Sequence, residues 1–144
     1  MNIGIVGCGN ISDTYFDSQK IFNNLNIISC ADIVKDFADQ KANQYNIKSQ
    51  SVEEILEDKE IDLILNLTIP SAHKNIIIRS LENGKHCFSE KPLAINFLDG
   101  LEIKEISNKN KLFVGCAPDT FLGAAGQKAR SLIETDSIGK IVLG

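Results

Sequence analysis

At 144 residues the sequence is sized for one domain, since domains most often run about 100–150 residues. It is 43% hydrophobic and 24% charged with three prolines, which excludes a disordered or collagen-like chain. Its 15 Lys and Arg against 19 Asp and Glu give a net charge of −4, so it lacks the broad basic field that nucleic acid or an anionic membrane requires.

No apolar run approaches the roughly 18 residues of a transmembrane helix. The first strand runs straight into Gly7-Cys8-Gly9 with no basic segment of a signal peptide before it. Cys8, Cys30, Cys87 and Cys116 lie far apart and never form Cys-x-x-Cys, which argues against zinc and against a disulfide framework. A cytoplasmic chain with four reduced thiols, no metal and no nucleic-acid or membrane partner is expected.

Taken in chain order, the pattern alternates short apolar runs with longer amphipathic ones. Residues 2–6 read as a strand, 11–23 as a helix, 27–30 as a strand and 36–45 as a helix. A weaker strand at 47–49 precedes a helix at 52–56, where Ser51 and Glu54 fit a capping box. A strand at 63–67 leads to a helix at 72–81, with Ser71 placed to cap it and Gly84 to end it. Strands at 86–89 and 112–116 flank a helix at 97–108, and a last helix spans 122–134. Apart from the weaker one at 47–49, the strands are nearly continuous in apolar residues, as befits strands covered on both faces. The fold class expected is α/β: a Rossmann-type doubly wound parallel sheet of about six strands with helices on both faces. Residues 1–137 form that domain, and 138–144 are either a C-terminal edge strand or the start of a second domain that is absent.

Gly7-Cys8-Gly9-Asn10-Ile11-Ser12 lies between the first strand and the first helix. Gly7 permits a tight turn, Gly9 lets backbone N–H groups approach a pyrophosphate, and Ser12 is small enough for close packing. Asp32 closes the second strand about 20 residues later, where a ribose-binding acid belongs. A carboxylate there accepts both ribose hydroxyls and repels a 2′-phosphate, which favours NAD over NADP. The alternatives are a turn that serves packing alone and an Asp32 that is a solvated cap. A methyltransferase or an FAD enzyme could also carry a glycine-rich first turn.

Glu90-Lys91-Pro92 follows the fifth strand, and strand C-termini are where open α/β sheets bind ligands. Lys91 there can donate to a substrate hydroxyl, or form an ordinary surface pair with Glu90. Together with Asn66-Leu67-Thr68-Ile69-Pro70, His73 and Gly84-Lys85-His86, these motifs make the chain resemble the Gfo/Idh/MocA family of NAD(P)-dependent oxidoreductases over essentially its whole length. The resemblance implies that Gly7 belongs to the cofactor-binding turn, that the backbone of Gly9, Asn10 and Ile11 holds the pyrophosphate, and that Asp32 holds the adenosine ribose. Thr68, Pro70 and His73 would line the cofactor, with core packing the alternative for His73, and Glu90 and Lys91 would reach the nicotinamide ribose. Lys91 would also meet the hydroxyl of a sugar, polyol or similar small molecule. Ile69 stands where a first proline is common, and residues 116–121 replace the arginine-rich stretch of many members. Asp119 either faces substrate or serves as a loop acid or helix cap.

The family's second, mostly β domain has no counterpart in the sequence. The expectation is therefore cofactor binding without turnover by this chain alone. A standalone dinucleotide-sensing or interaction module without catalysis, or an α/β scaffold that binds no nucleotide, is the competing reading. A homo-oligomer is expected through the apolar stripe Ala125, Ala129, Leu132 and Ile133 and the tail 141–143.

Overall fold

A computed structural model describes residues 1–118 and 120–143; Asp119 and Gly144, and hence the reading of Asp119 as a substrate contact or cap, lie outside the described residues. Six strands form one sheet: β1 Asn2–Val6, β2 Asn26–Ala31, β3 Lys48–Gln50, β4 Leu63–Asn66, β5 His86–Ser89 and β6 Val114–Cys116. Their order is β3-β2-β1-β4-β5-β6 and every pairing is parallel. The order reverses between β1 and β4, the position at which such sheets open a ligand crevice.

Alternation along the strands divides the core between the two faces of the sheet. Ile5 and Leu65 join Cys30 and Phe16, beneath α1 Ser12–Ser18 and α2 Lys35–Tyr45. Val6 and Ile64 point the other way, towards Ile55, Leu56, Ile77 and Leu81. Those residues come from α3 Val52–Glu57 and α4 Pro70–Glu82, and α5 Phe97–Asn110 adds Ile103. The Ser51–Glu54 capping box forms, with Ser51 accepting from the Glu54 N–H and Glu54 accepting from the Ser51 N–H. Across α1 and α2, Asp13 accepts from Lys41 and from the Tyr45 hydroxyl, and Phe16 stacks on Tyr45 at 4.5 Å. The Lys41 hydrogen bond holds the Asp13 carboxyl below its usual range, while burial and then Asp13 push the Tyr45 phenol up to about 12.

Several boundaries differ from the sequence pattern, each for a local reason. The first helix stops at Ser18 rather than 23, because the Ser18 hydroxyl donates to the Tyr15 carbonyl and Ile21 and Phe22 close a turn back onto Ser18. Ser71 is not the cap of α4. Pro70 already occupies the first helical turn, where its missing N–H costs nothing, and Ile69 is the extended residue before it. Gly84, at φ 75°, follows that helix in the left-handed region. Strand β6 starts at Val114 instead of 112, since Lys111 turns left-handed and Leu112 bonds back to Ser107 to end α5.

The last helix, α6 Ala124–Glu134, follows a 3-10 turn at Thr120–Leu122 and buries none of its residues fully. Residues 139–143 form no strand, and Val142 and Leu143 are about nine-tenths exposed. Of the two readings of 138–144, the edge strand is not formed among the described residues.

Candidate functional site at the strand ends of β1, β4 and β5

Gly7 leaves β1 at φ 104° and its N–H donates to the Ala31 carbonyl at 2.9 Å. A Cβ at Gly7 would stand 2.6 Å from the carbonyl carbon of Leu67, so the turn lies directly against the chain leaving β4. Gly9 is the opposite case, since a Cβ there would meet nothing within 4 Å. The Ser12 hydroxyl, fully buried, donates to the Gly9 carbonyl at 2.6 Å and fixes the turn's shape. Among the described residues no acceptor is found for the backbone N–H groups of Gly9, Asn10 or Ile11, all three of which are exposed. An open cradle with three such donors fits a diphosphate.

Asp32 stands beside this turn at the end of β2. Its Oδ2 accepts the Cys8 N–H at 2.7 Å and its Oδ1 the Val34 N–H at 2.8 Å. Each oxygen keeps a second acceptor site, so the carboxylate is oriented by backbone and still able to accept hydroxyls. Beyond it opens a groove of about 770 Å³ bordered by Gly9, Asp32, Thr68, Val52, Ala72 and Ile76. That volume suits a ligand of drug size. Arg79 and Glu53, 3.3 Å apart, also border it. These α3 and α4 residues were not picked out from the sequence, because as a helix face they are indistinguishable from core.

At the end of β4, buried Asn66 organises the next segment. Its Oδ1 accepts the Thr68 hydroxyl at 2.7 Å, and its Nδ2 donates to the His73 carbonyl at 3.3 Å. Of its two readings, His73 takes core packing and does not border the groove. It is fully buried, with Nδ1 2.6 Å from the Pro92 carbonyl and Nε2 2.9 Å from the Thr68 carbonyl. A neutral imidazole donates to one of these and an imidazolium to both. The ring therefore joins the β4 and β5 loops from inside rather than facing a ligand. Pro70 is exposed at the start of α4 and does not border the groove.

Glu90 and Lys91 sit at the end of β5, outside the groove but along the same edge of the sheet. The Glu90 N–H donates to the Asn66 carbonyl at 2.9 Å. Its carboxylate accepts the Tyr15 hydroxyl at 2.7 Å on Oε1 and the Lys91 N–H at 3.0 Å on Oε2. The Lys91 side chain is exposed, and its peptide bond to Pro92 is cis. Tyr15 and Asn66 were missed as site residues. Asn66 had a signal, a polar residue closing an apolar strand, whereas Tyr15 had none.

Two sequence motifs lie elsewhere. Lys85, buried at the opposite end of the sheet, donates to the carbonyls of Asp58 and Ile61 at 2.5 and 3.2 Å, and burial lowers its pKa. His86 accepts the Phe113 N–H at 3.0 Å. The Cys87 thiol is pushed up to about 12 by burial, and Cys8 is raised by its hydrogen bond with Cys30 and by burial, so neither is an available thiolate. No group of three or more metal-ligating side chains occurs among the described residues.

The model of an oxidoreductase family with an NAD-binding Rossmann fold, GFO_IDH_MocA, matches residues 1–117. Myo-inositol 2-dehydrogenase of Thermotoga maritima is 22% identical over 142 residues, 97% of this chain and 42% of that protein. The NAD(+)-dependent scyllo-inositol 2-dehydrogenase of Bacillus subtilis is 31% identical over 97 residues, 64% of this chain and 28% of that one. Biliverdin reductase from Synechocystis, solved with biliverdin and NADP+, superposes with a TM-score of 0.85 at 24% identity, covering 92% of this chain and 42% of its own. The chain thus spans less than half the length of these relatives.

Proposed function

The chain belongs to the Gfo/Idh/MocA family of oxidoreductases, and we propose that it binds NAD and supplies the cofactor side of a hydride transfer to or from an alcohol carbon of a sugar, polyol or similar molecule. The observation that carries this reading is the continuity of three groups along one sheet edge. The oriented Asp32 carboxylate after β2, the open turn at Gly9 after β1 and the Glu90-Lys91 end of β5 follow one another across the sheet in the order that adenosine ribose, diphosphate and nicotinamide ribose require.

In this reading the N–H groups of Gly9, Asn10 and Ile11 take the diphosphate. Asp32 accepts the two adenosine ribose hydroxyls, and Thr68 flanks the cofactor at the end of β4. Bound nicotinamide supplies the hydride acceptor. The exposed Lys91 amine would hold the substrate oxygen and so place the carbon that bears it against the nicotinamide. Hydride transfer also requires close positioning and exclusion of water. One open sheet edge supplies neither, so cofactor binding without turnover is the behaviour proposed for these 144 residues. The relatives named for inositols support a polyhydroxy substrate.

NAD rather than NADP is proposed because Asp32 is held facing the ribose position by two backbone donors, where a 2′-phosphate would meet its charge. Calorimetric titration with NAD+, NADH and NADPH tests this. NADH is expected to bind and NADPH to bind much more weakly, and Asp32→Ala is expected to cost NADH about tenfold or more in affinity. Equal affinity for both dinucleotides, unaltered by the substitution, would remove Asp32 from the site.

No described helix is long and apolar enough to cross a membrane, and the four free cysteines fit a cytoplasmic location. Ile133, Ile141, Val142 and Leu143 are exposed, from about half to nine-tenths. We therefore expect self-association through α6 and the tail. Light scattering at increasing concentration should show dimers or larger species, and a constant monomer mass would count against it.

A further inference from the structure

We infer that Tyr15 is a positioning residue for the nicotinamide half of the cofactor, acting by aiming the Glu90 carboxylate; the inference rests on the cofactor reading above. Tyr15 lies on α1, the helix that follows the glycine turn, and Glu90 lies at the end of β5, with β4 between β5 and the β1 strand that enters the turn. The tyrosine hydroxyl spans that distance and donates to Glu90 Oε1 at 2.7 Å. Its ring is half-buried against the core under α1 and α2, so the hydroxyl is delivered from a fixed base.

The Glu90 main chain is already pinned. Its N–H bonds the Asn66 carbonyl, and its carbonyl accepts the Cys116 thiol at 3.7 Å. What remains to be set is the side chain, and it has two oxygens with different partners. Oε2 takes the N–H of the next residue, Lys91, and thereby also braces the segment carrying that amine. Oε1 is fixed by Tyr15. A phenol donating to an ionised carboxylate makes a charge-assisted bond, stronger than a neutral one and directional. The bond also joins the element that holds the diphosphate to the element that meets the nicotinamide ribose.

The consequence is selective. Removing the Tyr15 hydroxyl should leave the turn and Asp32 untouched, because neither depends on it, while freeing Glu90 to rotate away from the nicotinamide ribose. The test compares NADH with ADP, which carries the adenosine and diphosphate but nothing beyond them. Tyr15→Phe keeps the ring and its packing. It is expected to weaken NADH roughly tenfold and to leave ADP within about twofold. The emission of bound NADH should also shift towards that of free NADH as the ring loses its fixed surroundings. In a double-mutant cycle, Tyr15→Phe added to Glu90→Gln should cost less than it does alone, since the two residues act through one bond.

Equal losses for NADH and ADP would make Tyr15 a packing residue of α1 and overturn the inference. Unchanged NADH affinity, or additive losses in the cycle, would overturn it as well. Failure of the wild-type chain to bind either ligand would instead overturn the cofactor reading on which it rests.

Discussion

Replacing Gly7 by alanine should destabilise the domain by about 3 kcal/mol or more. Two penalties coincide. The residue sits at φ 104°, a conformation that L side chains rarely adopt, and the new Cβ would lie 2.6 and 2.7 Å from the Leu67 carbonyl carbon and oxygen. Neither contact can be relieved by a rotamer change, because both partners are backbone. Relief requires the turn to lift from the chain leaving β4, which would break the Gly7–Ala31 hydrogen bond and swing Cys8 away from Asp32. Gly9→Ala is the matched control. Its Cβ meets no protein atom within 4 Å, so stability should stay near wild type while the methyl group occupies the approach to the three backbone donors. Urea denaturation combined with NADH titration separates the two positions. Gly7→Ala should lose stability and binding together, and Gly9→Ala should lose binding alone. A Gly9→Ala chain that binds NADH normally would show that the turn serves packing and holds no diphosphate.

The two glycines also show what the sequence could and could not convey. The turn was legible because its demands are local: a positive φ, a close approach and a small residue at Ser12 are properties of consecutive positions. Near-continuous apolar runs placed five of the strands, since strands covered on both faces need them whatever their neighbours, whereas β3, Lys48-Ser49-Gln50 at the sheet edge, read only as a weaker strand. Boundaries slipped where the chain spends its polar groups on ending an element, as at Ser18 and Lys111, because those bonds depend on where the next segment turns. Tyr15 was invisible for a stronger reason. Its partner is 75 residues away, and nothing in the spacing of a short amphipathic helix marks which aromatic residue points along the sheet edge. The Val52, Ala72 and Ile76 wall of the groove was hidden in the same way. Apolar residues lining a groove and apolar residues filling a core obey one periodicity, and only the sheet order decides between them.

His73→Ala should cost about 3–5 kcal/mol, by combining a cavity in a fully buried site with the loss of the ring's hydrogen bonding to the carbonyls that flank it. The ring stands between the Thr68 carbonyl after β4 and the Pro92 carbonyl after β5, so its loss separates the loops that carry Thr68 and Lys91. NADH affinity should therefore fall although the side chain is completely enclosed and borders no part of the groove. His73→Leu restores most of the volume without the ring's hydrogen bonding, and its difference from alanine isolates the cavity contribution. If the ring acts from inside, both variants lose stability and binding in parallel, with leucine the milder. A variant that kept its denaturation midpoint yet lost NADH would reverse that conclusion. It would return His73 to the role the family resemblance implied, a direct cofactor contact, and would require the β4 and β5 loops to open when the dinucleotide binds.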